Sequence, residues 1–113
     1  MKIYHNPRCS KSRQTLQLIE DAGVEPEVIE YLSTPPTAAE LDGILTMLGL
    51  QPDELMRKKE VVYQELGLAG KTLSRAEAIQ TMIDNPKLIE RPIVVNGDRT
   101  VIGRPPENVK ELL

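Results

Sequence analysis

Hydrophobic and polar positions change period several times along this chain, and each change marks an element. Lys2-Ile3-Tyr4 is a short apolar run that reads as the start of a strand. From Gln14 to Ala22 the apolar residues recur at helical steps: Leu16, Ile19 and Ala22 are three apart, and Leu18 lies four before Ala22. Gly23 follows, a residue suited to the left-handed position that closes a helix. Glu27-Val28-Ile29-Glu30-Tyr31-Leu32 reads as a second strand. Strand, helix and strand within about thirty residues form a βαβ unit, which predicts parallel strands joined by a right-handed crossover.

Ser33-Thr34-Pro35-Pro36 then breaks the chain, and Thr37-Ala38-Ala39-Glu40 is a capping box that opens a helix. Leu41, Ile44, Leu45 and Leu48 form the apolar face of that helix, and Gly49 ends it. Pro52 suits the first turn of a short helix through Leu55 and Met56. Val61, Val62, Leu66 and Leu68 predict another short helical piece, closed by Gly67 and Gly70. Ser74-Arg75-Ala76-Glu77 is a second capping box; its helix runs through Ala78, Ile79, Met82 and Ile83 and stops at Asn85-Pro86. Pro92-Ile93-Val94-Val95 is a strand, Asn96-Gly97-Asp98 a tight hairpin turn, and Thr100-Val101-Ile102 the antiparallel return. Gly103-Arg104-Pro105-Pro106 leads into a last helix with Val109, Leu112 and Leu113 as apolar positions. The order is βαβ, a helical block, then ββα. The fold class expected is α/β, a thioredoxin-like mixed four-stranded sheet, as a single domain over residues 1–113 with a helical insertion at about 37–86.

Composition narrows the function. With 113 residues the chain can bury a core without disulfides or metals, and with 3% aromatic residues that core must be Leu, Ile, Val and Met. Seventeen acidic against 14 basic residues give a net charge of −3, which argues against a nucleic-acid binder. No apolar run reaches the length of a signal peptide or a membrane span, so a soluble, cytoplasmic protein with no membrane association is expected, as a monomer. One cysteine cannot form an internal disulfide.

That cysteine is the centre of the candidate chemistry. His5-Asn6-Pro7-Arg8-Cys9-Ser10-Lys11-Ser12-Arg13 holds the only cysteine and the only histidine, four residues apart. The pattern places Cys9 at a strand-to-helix turn, where free amides and the positive helix end stabilise a thiolate or an oxyanion. Arg8, Lys11 and Arg13 add positive charge, and such surroundings lower a thiol pKa. The plain alternative is a small buried hydrophobe, but the flanking residues are Arg and Ser. Thr15 stands where a Cys-x5-Arg phosphatase loop needs arginine, and Ser12 where Cys-x-x-Cys needs its second cysteine. Three arginines also have notable positions: Arg57 after Leu55-Met56, Arg91 before Pro92, and Arg104 between Gly103 and Pro105. A surface arginine is usually a solvated charge. In a thioredoxin-like fold, however, the loop before the third strand faces the first helix, so Arg91 is expected to point at Cys9. Guanidiniums converging on a thiolate make a site for a tetrahedral oxyanion.

These stretches resemble a known family. His-Asn-Pro-x-Cys at 5–9, Ser-Arg at 12–13, Tyr-Leu followed by Pro-Pro at 31–36 and Arg-Lys at 57–58 are similar to the glutaredoxin-dependent arsenate reductases. So are Tyr63 with Glu65-Leu66-Gly67-Leu68, Arg91-Pro92-Ile93-Val94-Val95 and Arg104-Pro105, in order and with matching spacing over essentially the whole chain. The resemblance implies Cys9 as the nucleophile and Arg57, Arg91 and Arg104 as oxyanion ligands. It implies that His5 helps to keep the cysteine ionised, that Ser12 supports it, and that Pro92 is a structural cis-proline opposite it. It further implies arsenate or a similar oxyanion as substrate, glutathione as co-substrate and glutaredoxin as redox partner, with no bound cofactor and no metal. Two departures stand out: longer members extend past the last helix, and Ser10-Lys11 replaces the Gly-Thr of well-known reductases. The superfamily also contains Spx-type regulators that bind RNA polymerase, commonly with a Cys-x-x-Cys switch that Ser12 interrupts. The alternatives are therefore a thiol protein of the same fold acting on another substrate, such as a glutathione mixed disulfide, and a partner-binding regulator without catalysis.

Overall fold

The first strand is covered on both faces, with Ile3, Tyr4 and His5 all buried. In the computed structural model, which describes Met1–Leu113, β1 (Lys2–His5) is the inner strand that pairs with β2 (Glu27–Glu30) on one side and β3 (Ile93–Asn96) on the other. β4 (Arg99–Ile102) completes a four-stranded sheet in the order β2-β1-β3-β4. β1 and β2 run parallel, with Ile3 opposite Val28, as a βαβ crossover requires. β1–β3 and β3–β4 are antiparallel, with Ile3 opposite Val94 and Val94 opposite Val101. This is the mixed thioredoxin-like sheet that the element order predicts. Between β3 and β4, Gly97 takes φ +64°, so a two-residue loop can reverse the chain with the twist that neighbouring strands need.

The chain divides into two compact units: Met1–Thr34 with Arg91–Leu113, and Pro35–Glu90. In the first, α1 (Ser10–Asp21) and a 3-10 helix (Pro106–Leu112) pack on one another and on the sheet. Ile3, Ile19, Val94, Val109 and Leu112 form its aliphatic core, flanked by Leu16, Leu18, Val24 and Val101. Fully burying each such side chain stabilises the fold by about 1.5–3 kcal/mol, which makes this layer the main anchor of β1 and α1. The last helix is 3-10 rather than α, and Leu113, expected on its apolar face, is 47% exposed. With three residues per turn, Val109 and Leu112 share a face and Leu113 falls off it. β2 is also shorter than its apolar run predicts. The amides of Ser33 and Thr34 both turn back to the Glu30 carbonyl, which removes Tyr31 and Leu32 from the strand.

The second unit is helical: α2 (Ala38–Leu48), α3 (Pro52–Leu55), α4 (Val61–Glu65) and α5 (Arg75–Asp84), with short 3-10 turns at Leu68–Gly70 and Pro86–Leu88. Both expected capping boxes are present, Thr37 with Glu40 and Ser74 with Glu77. α2 packs on α5, and both bury aliphatic faces that include Leu41, Leu45, Ile79 and Met82. Met56 is not helical. It is extended and bridges Ile89, while Arg57 donates its amide to Leu88 and Glu90 donates to Leu55. That antiparallel pairing ends α3 one residue earlier than its apolar pattern suggests. No helix is long and apolar enough to cross a membrane.

Candidate active site

The site is built from the loop that joins β1 to α1. Asn6 organises this loop. Its carbonyl accepts the Cys9 amide at 3.0 Å, its Oδ1 accepts the Arg8 amide at 3.0 Å, and its own amide donates to Ser12 Oγ at 3.1 Å. Pro7 supplies the preset φ of the turn, and Arg13 reaches back from α1 to donate to the Pro7 carbonyl at 2.9 Å. Cys9 thereby becomes the residue immediately before α1, in extended conformation, with its carbonyl accepting the Arg13 amide. No side-chain bond caps this helix end, so the first-turn amides remain available to an anion.

Burial pushes the Cys9 thiol up. The amide of Ser12, the charge of Arg91, the amide of Lys11 and the guanidinium of Arg104 act against burial and outweigh it, and the thiol is held below its ordinary value. Arg104 Nη1 lies 3.8 Å from Cys9 Sγ and 3.5 Å from the Arg91 carbonyl oxygen. Cys9 and two of the three singled-out arginines thus lie in one unit, at one end of the sheet. The sulfur is partly exposed, which a thiol that exchanges with an external partner needs.

His5 and Ser12 stand behind this loop, both buried. His5 Nδ1 and Ser12 Oγ are 2.6 Å apart. Desolvation lowers the His5 pKa; Glu30 and Glu20 oppose that effect and Arg13 adds to it, so the neutral ring is favoured. His5 Nδ1 and Ser12 Oγ share one hydrogen bond, and the Ser12 oxygen also accepts the Asn6 amide. His5 therefore touches the Cys9 loop through Ser12. The Ser12 backbone amide is one of the two amides, with that of Lys11, that face the Cys9 sulfur.

Arg91 and Pro92 meet in a cis peptide bond, and so do Arg104 and Pro105. The second was not anticipated from the sequence. Arg57 belongs to the helical unit, where its guanidinium pairs with Glu60 at 2.5 Å and its amide is held by Leu88. No group of three His, Cys, Asp or Glu side chains gathers as a metal site.

Sequence reasoning missed three residues that shape this site. Asn108 donates to the carbonyls of Ile102 and Arg104, both at 3.2 Å, and so fixes the turn that carries Arg104. In the sequence Asn6 stands out only as part of a motif, although an Asn-Pro pair before a helix is a recognised turn signal. Thr15 stands out there only as the residue that rules out a phosphatase loop; in the fold it is a polar side chain with no solvent exposure. Its place on the buried side of α1, four residues before Ile19, was the available signal.

The ArsC family signature matches residues 4–112. The chain is 58% identical over 114 residues to the uncharacterized protein YfgD of Escherichia coli, covering 100% of this chain and 96% of that one. It is 45% identical to a protein named arsenate reductase from Neisseria meningitidis, covering 100% and 97%. Among solved structures, the arsenate reductase from Vibrio cholerae superposes with a TM-score of 0.94 at 50% identity, over 99% of this chain and 96% of that one. With the Cys9 loop, the two arginine turns and the mixed sheet all in place, the chain belongs to the ArsC family.

Proposed function

We propose that this protein is an arsenate reductase in which Cys9 attacks the arsenic of a bound oxyanion. The observation that carries this reading is the Arg104 guanidinium standing over the Cys9 sulfur at the open end of α1, with Arg91 acting on the same sulfur. The helix-end amides and the two guanidiniums favour negative charge at this one point. An arsenate oxygen would replace part of the sulfur's interactions with them. Arg57, paired with Glu60 within the helical unit, is the third ligand that the family resemblance implies.

In the proposed reaction the Cys9 thiolate forms a sulfur–arsenic bond and a protonated arsenate oxygen leaves as water. The chain has no second cysteine, so an external thiol, glutathione, completes the reduction. Two thiols lose the two electrons that convert As(V) to As(III), arsenite departs, and a mixed disulfide remains on Cys9. Glutaredoxin then exchanges with that disulfide and restores the thiol. A reducing compartment such as the cytoplasm suits this cycle. No bound cofactor enters it.

The test is arsenite release from arsenate in the presence of glutathione and glutaredoxin, for the parent and Cys9→Ser. The proposal expects turnover by the parent and its loss in the variant. A parent that reduces a glutathione mixed disulfide but leaves arsenate untouched would move the assignment to another thiol substrate.

A further inference from the structure

Thr15 sits on α1, six residues past the nucleophile, and no step of the proposed reaction uses its buried hydroxyl. Its Oγ1 donates to the Lys11 carbonyl at 2.8 Å and lies 3.3 Å from the Gly103 carbonyl, so its single proton is shared between its own helix and the turn that carries Arg104. Gly103 has no room for a side chain. A β-carbon there would overlap Thr15 Oγ1 and come within 2.8 Å of Pro92 Cγ and 2.9 Å of Thr15 Cγ2. The Gly103 amide also donates to the Pro92 carbonyl at 2.9 Å. Thr15, Gly103 and Pro92 thus meet at one point, and the last two are the chain neighbours of Arg104 and Arg91.

We propose that Thr15 and Gly103 are positioning residues: their contact seats the turns bearing Arg91 and Arg104 against the helix that presents Cys9. Two long side chains that are flexible on their own are thereby aimed at the sulfur by backbone packing on its own helix, which lowers the cost of ordering them when an oxyanion binds. The consequence for the oxyanion rests on the function proposed above. The consequence for the thiol does not.

A double-mutant cycle separates this role from a merely structural one. Thr15→Val keeps the shape and removes the hydroxyl, Thr15→Ser keeps the hydroxyl, and each is made with and without Arg104→Ala. The measurements are Cys9 ionisation, by thiolate absorbance against pH, and sulfate affinity, by calorimetry at fixed ionic strength. Thr15→Val should raise the Cys9 pKa and weaken sulfate binding about three- to tenfold, the scale of one neutral hydrogen bond. Thr15→Ser should restore both. In the Arg104→Ala background, Thr15→Val should produce a smaller rise in pKa, because only the Arg91 turn is then left to loosen. An equal rise in both backgrounds would mean that Thr15 acts only within α1, and parent-like values for Thr15→Val would also overturn the proposal. Gly103→Ala should act in the same direction more strongly; if it fails to fold, the Val and Ser variants still decide. A parent that binds no sulfate counts against the proposed function, while the ionisation half of the cycle still decides the positioning role.

Discussion

Arg104 Nη1 lies 3.8 Å from Cys9 Sγ, although the two residues are 95 positions apart in the chain. The same nitrogen lies 3.5 Å from the carbonyl of Arg91. One guanidinium edge therefore spans the Cys9 sulfur and the backbone of the second arginine. At that length the bond to sulfur is weak, and an oxyanion seated on the sulfur, as proposed, would offer the guanidinium a shorter, forked contact.

Arg104→Lys should accordingly fail to replace the parent. An ammonium supplies charge without the fork, and one lost charge-assisted hydrogen bond corresponds to about 1.5–3 kcal/mol, or roughly ten- to a hundredfold in sulfate or arsenate affinity. Calorimetric titration with sulfate checks this. Parent-like affinity in the Lys variant would remove the forked contact from the account.

The pH dependence of Cys9 reactivity follows from its lowered pKa. Alkylation by a neutral reagent should rise with the thiolate fraction, with its midpoint below that of a free cysteine. Stability carries the same signature. Between the folded and unfolded thiol pKa values the unfolded chain binds more protons, so this contribution is complete above the unfolded value and is lost as pH falls through the folded one. Urea unfolding at several pH values should show that slope in the parent and its absence in Cys9→Ser.

His5 adds a second pH window. Its folded pKa is lowered, chiefly by burial, so the unfolded state takes up a proton first as pH falls below about 6.5. Folding stability should decline from there until the folded ring protonates, and His5→Asn should flatten that segment of the profile. An unchanged profile in the variant would contradict the assignment of a buried, neutral ring.

Ser12→Ala tests the support beneath the loop. The hydroxyl serves both His5 Nδ1 and the Asn6 amide, and it is fully buried. Its removal leaves two polar groups short of a partner and should cost about 1–3 kcal/mol, read as a lower urea midpoint at constant slope. The Ser12 backbone amide remains, so the thiol should still ionise below the free-cysteine value. A variant as stable as the parent would show that the Ser12 hydroxyl does not hold the loop.

Much of this was legible in the sequence because local signals agreed with the global fold. The period change at Cys9, the two capping boxes and the Asn96-Gly97-Asp98 turn each specify one backbone solution. The single cysteine next to basic residues pointed to the candidate site for the same reason. What was hidden depends on contacts distant in the chain. Nothing local at Met56 announces its bridge to Ile89, and Tyr31 and Leu32 continue an apolar run that a turn interrupts. Thr15 resembles any helix threonine until Gly103, 88 residues later, is packed against it. His5 is the instructive residue. The resemblance implies that it helps to keep Cys9 ionised, and the fold sets its ring against Ser12, a contact that the sequence does not announce.

In the proposed reaction arsenate drives Cys9 into a mixed disulfide with an external thiol. Intact-mass measurement of the protein, after incubation with arsenate and reduced glutathione but without glutaredoxin, tests it most directly. The account predicts one glutathionyl adduct, located at Cys9, that requires both reagents together and is removed when glutaredoxin is added. The absence of that adduct, or its appearance in equal amount without arsenate, would contradict it.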